Sequence, residues 1–326
     1  MFGAIKKLAN IFPVTTTRAV YLDGTNETLE DAMEKGSLGN IGKKNIIKSE
    51  IYPQFEEIQC TRGLHDCTFI GNDYVSFNKL ADNGSYYYSD IESKTVVKQG
   101  STNFTESDGT NLEMKSVDYM FGKLVVANGK ASYNADFSRM YIFHDVLNWK
   151  SMDETITFSN CGNYDEIDIT ALGYKVYAFW GNADDVLFIS CNLFNDIYQI
   201  QLGRGTNNFG SGTYTASDTN RYNGSYKILG HWHQNGELGN YAAHGGQYYN
   251  GNLYLATNDT TKCMIYKCIL EDDGSLFFEP LNFKKMSLTD PTKLYYTYID
   301  GLCIKDGKIY AQPLSHTKMI LVADVI

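Results

Sequence analysis

One pattern recurs down the chain and limits what it can fold into. A few apolar residues lead to an Asp or His, then to a Gly turn, then to an alternating strand of aromatic and β-branched residues. It reads at 64–77, 116–127, 166–191, 243–256 and 298–311. Aligning the second strand of each unit on Tyr74, Leu124, Val186, Leu253 and Ile309 gives spacings of 50, 62, 67 and 56 residues. A unit of this length predicts several short strands, as at 67–71, 74–78, 85–91 and 95–99, in a sheet that cannot bury both faces alone. Sheets of this kind stacked around an axis make an all-β fold, the β-propeller. Five blades are expected, or six if 226–233 opens a unit of its own. The last repeat ends at Ile326 short of an outer strand, so a strand within 45–52 is expected to close the ring and remove an open edge. A propeller gathers the starts of its inner strands around one mouth.

Composition narrows the function classes. With 326 residues at 43% hydrophobic, the chain can bury a large core. The 25 Tyr against 17 Phe and 3 Trp suit strands and half-wet surfaces, where an apolar ring carries a solvated hydroxyl. A net charge of −10 argues against nucleic acid and against anionic membranes, both of which need clustered Lys and Arg. No 18-residue apolar run predicts a membrane span, and Lys6 and Lys7 break the N-terminal apolar stretch, so no secretory signal is read. The seven cysteines include no CxxC pair and no zinc-ligand spacing, and are read as reduced, small core residues.

Residues 1–50 differ from the rest. Phe2, Ile5, Leu8, Ala9 and Phe12 fall at helical spacing, with Lys6, Lys7 and Asn10 opposite, and Pro13 stops the run. A strand is expected at 15–22, a turn at Asp23 and Gly24, and a short helix at 28–35. The Gly-rich stretch 36–45 reads as a linker. Residues 1–35 then form a helix and an α/β attachment module, and 46–326 form the propeller.

The stretch 15–36 (TTTRAVYLDGTNETLEDAMEKG) resembles the short N-terminal module of many bacteriophage tail-fibre and baseplate proteins. That module is a strand ending in a Tyr-Leu pair, a D-G/N-rich turn and an x-T-L-E-x-A-L helix. The matching residues are Ala19, Val20, Tyr21, Leu22, Asp23, Gly24, Thr28, Leu29, Glu30 and Ala32, about 22 residues of the chain in all. The resemblance implies a segment that attaches to a tail or baseplate protein, a receptor-binding domain behind it, and a homotrimer. It also implies residence in the virion tail after assembly in the host bacterial cytoplasm. The propeller repeats carry no sialidase box, WD or kelch signature.

Two places are candidates for chemistry. At the start of each inner strand one ionisable residue is expected: Asp66, Asp118, Asp168, His244 and Asp300. Held close, like charges raise one another's pKa or recruit a cation, so a channel-mouth cation is weighed and no other cofactor is expected. As an enzyme the chain would use Asp66, Asp118, Asp168 and Asp300 as acid and base or nucleophile. The structural alternative has each Asp bonding backbone amides at its turn. The second place is the polar, Gly/Asn/Ser/Thr-rich run 203–243. There Trp232, His231, His233, Tyr222 and Tyr226, with His244 beside them, are read as ligand-binding residues. Aromatic faces stack on the C–H faces of sugars. Metal binding by His231 and His233 lacks an evident third ligand.

Three readings follow. The leading one is a non-enzymatic tail protein that binds host-surface carbohydrate. The second is a glycan-cleaving enzyme on the same scaffold, and the third a structural virion protein. In the leading reading the Phe2/Ile5/Leu8/Phe12 stripe is too short a helix to stand alone and assembles the chains. Light scattering of the whole protein and of a chain starting near residue 40 tests this. The longer chain should be a multimer and the shorter a soluble, β-rich monomer; equal chain numbers in both would refute the assignment.

Overall fold

The computed structural model describes residues 56–59, 65–78, 84–105, 114–129, 138–174, 176–183, 185–192, 195–210, 218–234, 243–257, 265–281, 299–313 and 319–325. The chain divides into two units, Met1–Ile51 and Tyr52–Ile326. The expected helix, attachment module and linker of residues 1–45 lie outside the described residues.

The first strand, β1 (Glu56–Gln59), belongs with the last blade. Blade one is β2 (Asp66–Ile70), β3 (Asp73–Asn78), β4 (Gly84–Asp90) and β5 (Thr95–Thr102). Blade two is β6 (Met114–Met120), β7 (Lys123–Gly129), β8 (Ser138–Phe143) and β9 (Tyr164–Asp168). Blade three is β10 (Tyr177–Ala183), β11 (Val186–Cys191), β12 (Asp196–Arg204) and β13 (Tyr222–His233). Blade four is β14 (Ala243–Tyr249), β15 (Asn252–Thr257), β16 (Ile265–Leu270) and β17 (Leu276–Leu281). Blade five is β18 (Ile299–Lys305), β19 (Lys308–Pro313) and β20 (Met319–Asp324), completed by β1. Each sheet is an antiparallel meander, and the described residues make a five-bladed β-propeller.

Strands β2, β6, β10, β14 and β18 form the inner ring, each touching the next and β18 returning to β2. The turns before each second strand carry the backbone conformations that Gly and Asn tolerate, as at Gly71 (φ 64°), Gly251 (φ 83°) and Gly307 (φ 76°). Closure is antiparallel, pairing Glu56 with Val322 through Gln59 with Met319. The closing strand is therefore 56–59 and not the 45–52 expected, which lies outside the described residues. The run 226–233 belongs to β13, hydrogen-bonded to β12, so it opens no sixth blade.

Alternation along each strand feeds two seams at once. In β7, Leu124 and Val126 face blade one, where they meet Phe77, Tyr86 and Tyr88. Val125 and Ala127 face blade three and meet Leu187 and Ile189. Blades three, four and five share a further cluster around Phe188, Leu255 and Leu302. Cys67 and Tyr74 of blade one pack on Cys303, Ile320 and Val322 at the seam where the ring closes. The described cysteines are free and buried, and burial pushes the Cys161 thiol up to about 12. Cys60 and Cys263 lie outside the described residues.

The axis is narrow. Strand β14 reaches across it to β6 and β2, and glycines let the backbones meet. A Cβ on Gly301 would stand 2.8 Å from the Cα of Asp66, and one on Gly245 2.7 Å from Asp66 Oδ1. Gly301→Ala should therefore overpack the axis and destabilise the protein by about 1–3 kcal/mol. A thermal melt checks it: a midpoint unchanged from the parent protein would mean the strands separate freely.

Candidate functional site

The five expected channel-mouth residues do not form one ring. Cross-strand pairing sets Asp66 level with Ser116, Gly245 and Gly301, each opposite the equivalent residue of its second strand. Asp118 pairs with Val125 two residues further along, level with Thr68, Gln247 and Cys303. His244 and Asp300 do share a position, since each sits at a register shift at the start of its inner strand. Lys115 occupies the same kind of shift in β6. Nothing further is described of these three side chains. Asp168 is not on an inner strand: it ends β9 at the rim, is exposed, and accepts the Thr170 amide at 2.9 Å.

The two acids that do lie at the axis are held by the fold. Asp66 and Asp118 are both buried, at 1% exposure. Asp66 Oδ1 accepts the Cys67 amide at 2.8 Å, and its Oδ2 accepts the Val117 amide of blade two at 2.7 Å. Thr68 Oγ1 takes the Tyr119 amide across the same seam. Asp118 Oδ1 accepts from Gln247 Nε2 at 2.9 Å, and Gln247 Oε1 accepts the Ile304 amide, tying blades two, four and five. Burial drives the Asp66 pKa well above the ordinary 3.8, Cys67 and Asp118 add to it, and the two amides work against it. Asp66 thus ties blade one to blade two, and Asp118 ties blade two to blade four.

The run 203–243 is likewise more ordered than a binding loop, because its centre is β13. Tyr222 is fully buried, its ring under the Arg204 guanidinium at 5.3 Å and its hydroxyl accepting from Arg204 Nη2. The ring expected at a ligand-binding surface is thus buried within the fold. Trp232 is half-buried between blades three and four. Its indole N–H donates to Glu271 O at 3.0 Å and its ring lies 6.3 Å from Phe188. The expected alternation holds in that His231 and His233 share one face. Both turn onto Asp196 Oδ1, at 2.8 and 3.0 Å, and His231 stacks on Tyr198 at 4.2 Å. Burial works to raise the Asp196 pKa, but hydrogen bonds from Asn192, His231 and His233 outweigh it and hold it below the ordinary value. Among the described residues no group of three His, Cys, Asp or Glu is arranged to hold a metal ion.

A cleft of about 1020 Å³ opens between the outer strands of blades two and three. Its floor is Asp165, buried and fully engaged: Arg221 Nε at 2.6 Å on one oxygen, His144 Nε2 at 2.6 Å and the Tyr222 amide at 2.9 Å on the other. Its walls are Tyr164 and Glu166 on β9, Arg139 on β8 and Tyr226 on β13. Arg139 pairs with Glu166 at 2.6 Å. Burial raises the Tyr226 pKa, and the nearby Asp168 raises it further. Sequence reasoning named Tyr226 and Asp168 but for different places, and missed the rest. The available signal was Arg221, an arginine placed in a Gly/Asn/Ser/Thr-rich run just before a strand, where it calls for a buried carboxylate.

No family model matches the chain, and no curated protein matches it. Solved structures do resemble it. Glutaminyl cyclase of Myxococcus xanthus is 9% identical over 85% of this chain and 100% of its own, with a TM-score of 0.43. A putative glycoside hydrolase of Parabacteroides distasonis is 8% identical over 86% and 95%, with a TM-score of 0.45. A GH43 β-1,3-galactosidase is 12% identical over 79% and 89%, with a TM-score of 0.44. The propeller assignment rests on the sheet topology and not on these likenesses.

The Asp66 carboxyl gives a pH signature. Its raised pKa means the folded chain keeps that proton to higher pH than the unfolded chain, so stability falls as pH rises from near 3.8 through the raised value. Asp66→Asn removes the titration and keeps one of the two amide bonds, at a cost of about 1–3 kcal/mol for the amide left unpaired. Melting midpoints against pH should be flatter for the variant than for the parent above pH ~4. Identical slopes would show that Asp66 is ionised in the fold.

Proposed function

We propose that this chain is a non-enzymatic receptor-binding protein of a bacteriophage tail, which attaches the virion to carbohydrate on the host cell surface. In this reading residues 1–35 join a tail or baseplate protein and bring the chains together as a trimer. The propeller faces the host. The N-terminal resemblance over 15–36 supports the virion attachment.

The observation that favours binding over cleavage is the state of Asp66 and Asp118. Glycoside cleavage needs two carboxyl groups flanking an accessible sugar bond. Here both acids are buried at 1% exposure; the Asp66 oxygens accept the Cys67 and Val117 amides, and Asp118 Oδ1 accepts from Gln247. Asp168, the third acid of that reading, lies on the outer strand of blade two and not on an inner strand with them.

A glycan array probed with the full-length protein tests the binding, followed by a reducing-end assay on each polysaccharide it retains. The expected outcome is saturable binding without release of new reducing ends. Release of reducing ends would make the chain a hydrolase. Absence of binding, on the array and on host cells, would leave it a structural virion protein.

A further inference from the structure

Resting on the receptor-binding reading, we infer that the cleft between β9 and β13 is the glycan site, and that it takes a neutral, polyhydroxylated oligosaccharide. The cleft is made by two blades, and three features distinguish it from an ordinary seam.

The first is a built distortion in its wall. Along β13, Tyr226 pairs with Leu202 and Tyr222 with Arg204, so extra residues of β13 bulge out between the two pairs. Gly224, at φ 81°, makes the turn, and its Cα side approaches the Glu166 carbonyl of β9. Buried Asn223 pins the bulge by donating to the carbonyls of Gly205 and Asn207, and Ser225 bonds back to Asn223. A bulge held this firmly re-aims the side chains beside it, here Tyr226 into the cleft.

The second is the contrast between floor and walls. Asp165 below is saturated by Arg221, His144 and the Tyr222 amide, which makes the base rigid. Above it the half-buried ring of Tyr226 and the exposed Glu166 and Asp168 line the cleft, while Tyr164 packs its ring against Phe158 at 4.9 Å. Aromatic faces with planar polar groups beside them suit the C–H faces and hydroxyls of a sugar. The volume of about 1020 Å³ is that of a large small-molecule site, enough for a short oligosaccharide.

The third is charge. The cleft carries two guanidiniums and three carboxylates. Arg139 is already matched to Glu166 at 2.6 Å and Arg221 to Asp165 at 2.6 Å. An anionic sugar would have to compete with these carboxylates for the arginines and would meet Asp168 as a like charge. Neutral hydroxyls, which both donate and accept, are compatible with every group present.

The test is an array carrying neutral oligosaccharides beside their carboxylate- and phosphate-bearing counterparts, probed with full-length protein and four variants. Tyr226→Ala should weaken neutral-glycan binding about five- to a hundredfold, the range of a ring stacked on a base carried over to sugar. Glu166→Gln and Asp168→Asn, at exposed positions where folding is not at stake, should each weaken it several-fold. Trp232→Phe, which keeps a ring between blades three and four, should leave it unchanged. Circular dichroism confirms that each variant is folded. If Glu166→Gln and Asp168→Asn keep parental affinity while the parent binds, the cleft is not the site although the receptor-binding reading stands. If the parent binds anionic glycans in preference, the ligand class is wrong. If the parent binds nothing on the array or on cells, the receptor-binding reading itself fails, and this inference with it.

Discussion

The pairing of β1 with β20 is the interaction on which the rest of the molecule depends. Each of the other four sheets is completed by consecutive strands, whereas the fifth takes its outer strand from the start of the domain. That pairing converts an open array into a ring, and a ring gives every blade two neighbours. Within the ring, alternate residues of a strand such as β7 bury on both sides, Leu124 and Val126 towards blade one and Val125 and Ala127 towards blade three. A blade by itself would expose both faces, which is why sheets of this length are stable as a closed set.

Closing five sheets tightly brings their inner strands together at an axis with little room. Gly245 and Gly301 mark where backbones meet. Polar groups taken into so narrow a space must find partners there, because an unpaired buried carboxylate costs more than the fold can spare. Asp66 finds its partner in the next blade, through the Val117 amide, and Asp118 finds one across the axis in blade four, through the Gln247 carboxamide. Their burial and their bonds have one origin. The same closure that secures the core removes these acids from solvent.

Much of the architecture was legible from residue spacing. Tyr74, Leu124, Leu253 and Ile309 occupy equivalent positions, each opposite the next-to-last residue of its inner strand. In blade three the equivalent residue is Leu187 and not Val186, because Val186 is the first residue of its strand and pairs with the last of β10. The apolar run after Glu166 also spans two elements, the end of blade two and the start of blade three, so Asp168 seemed to head an inner strand. The acids misled in a way the numbers contained. Tyr74 and Leu124 are 50 residues apart, but Asp66 and Asp118 are 52 apart, so Asp118 lies two residues further along its strand on the same face. The cleft was beyond reach for a different reason. Arg221, Asp165 and His144 come from strands and turns of two blades, and no local periodicity connects them.

Around Asp66, Asp118, Gly245 and Gly301 the axis is tightly filled. Among the described residues a concave surface lies further out, between the outer strands of blades two and three. The outer strands β9 and β13 meet through Asp165 and the Tyr222 amide, and the bulge at Gly224 shapes the cleft wall beside that contact. Residues on such walls answer to fewer packing constraints than those at the axis. Tyr226, Glu166 and Asp168 lie on outer strands, while Asp165 and its partners keep the two blades in place. In this chain the rigid layer and the adaptable layer lie side by side on the same two strands, Asp165 between Tyr164 and Glu166 on β9, and Tyr222 four residues before Tyr226 on β13. Strand alternation turns Asp165, with Ile167, towards blade three, and Tyr164 and Glu166 to the opposite face of the sheet, beside Phe143 and Tyr141.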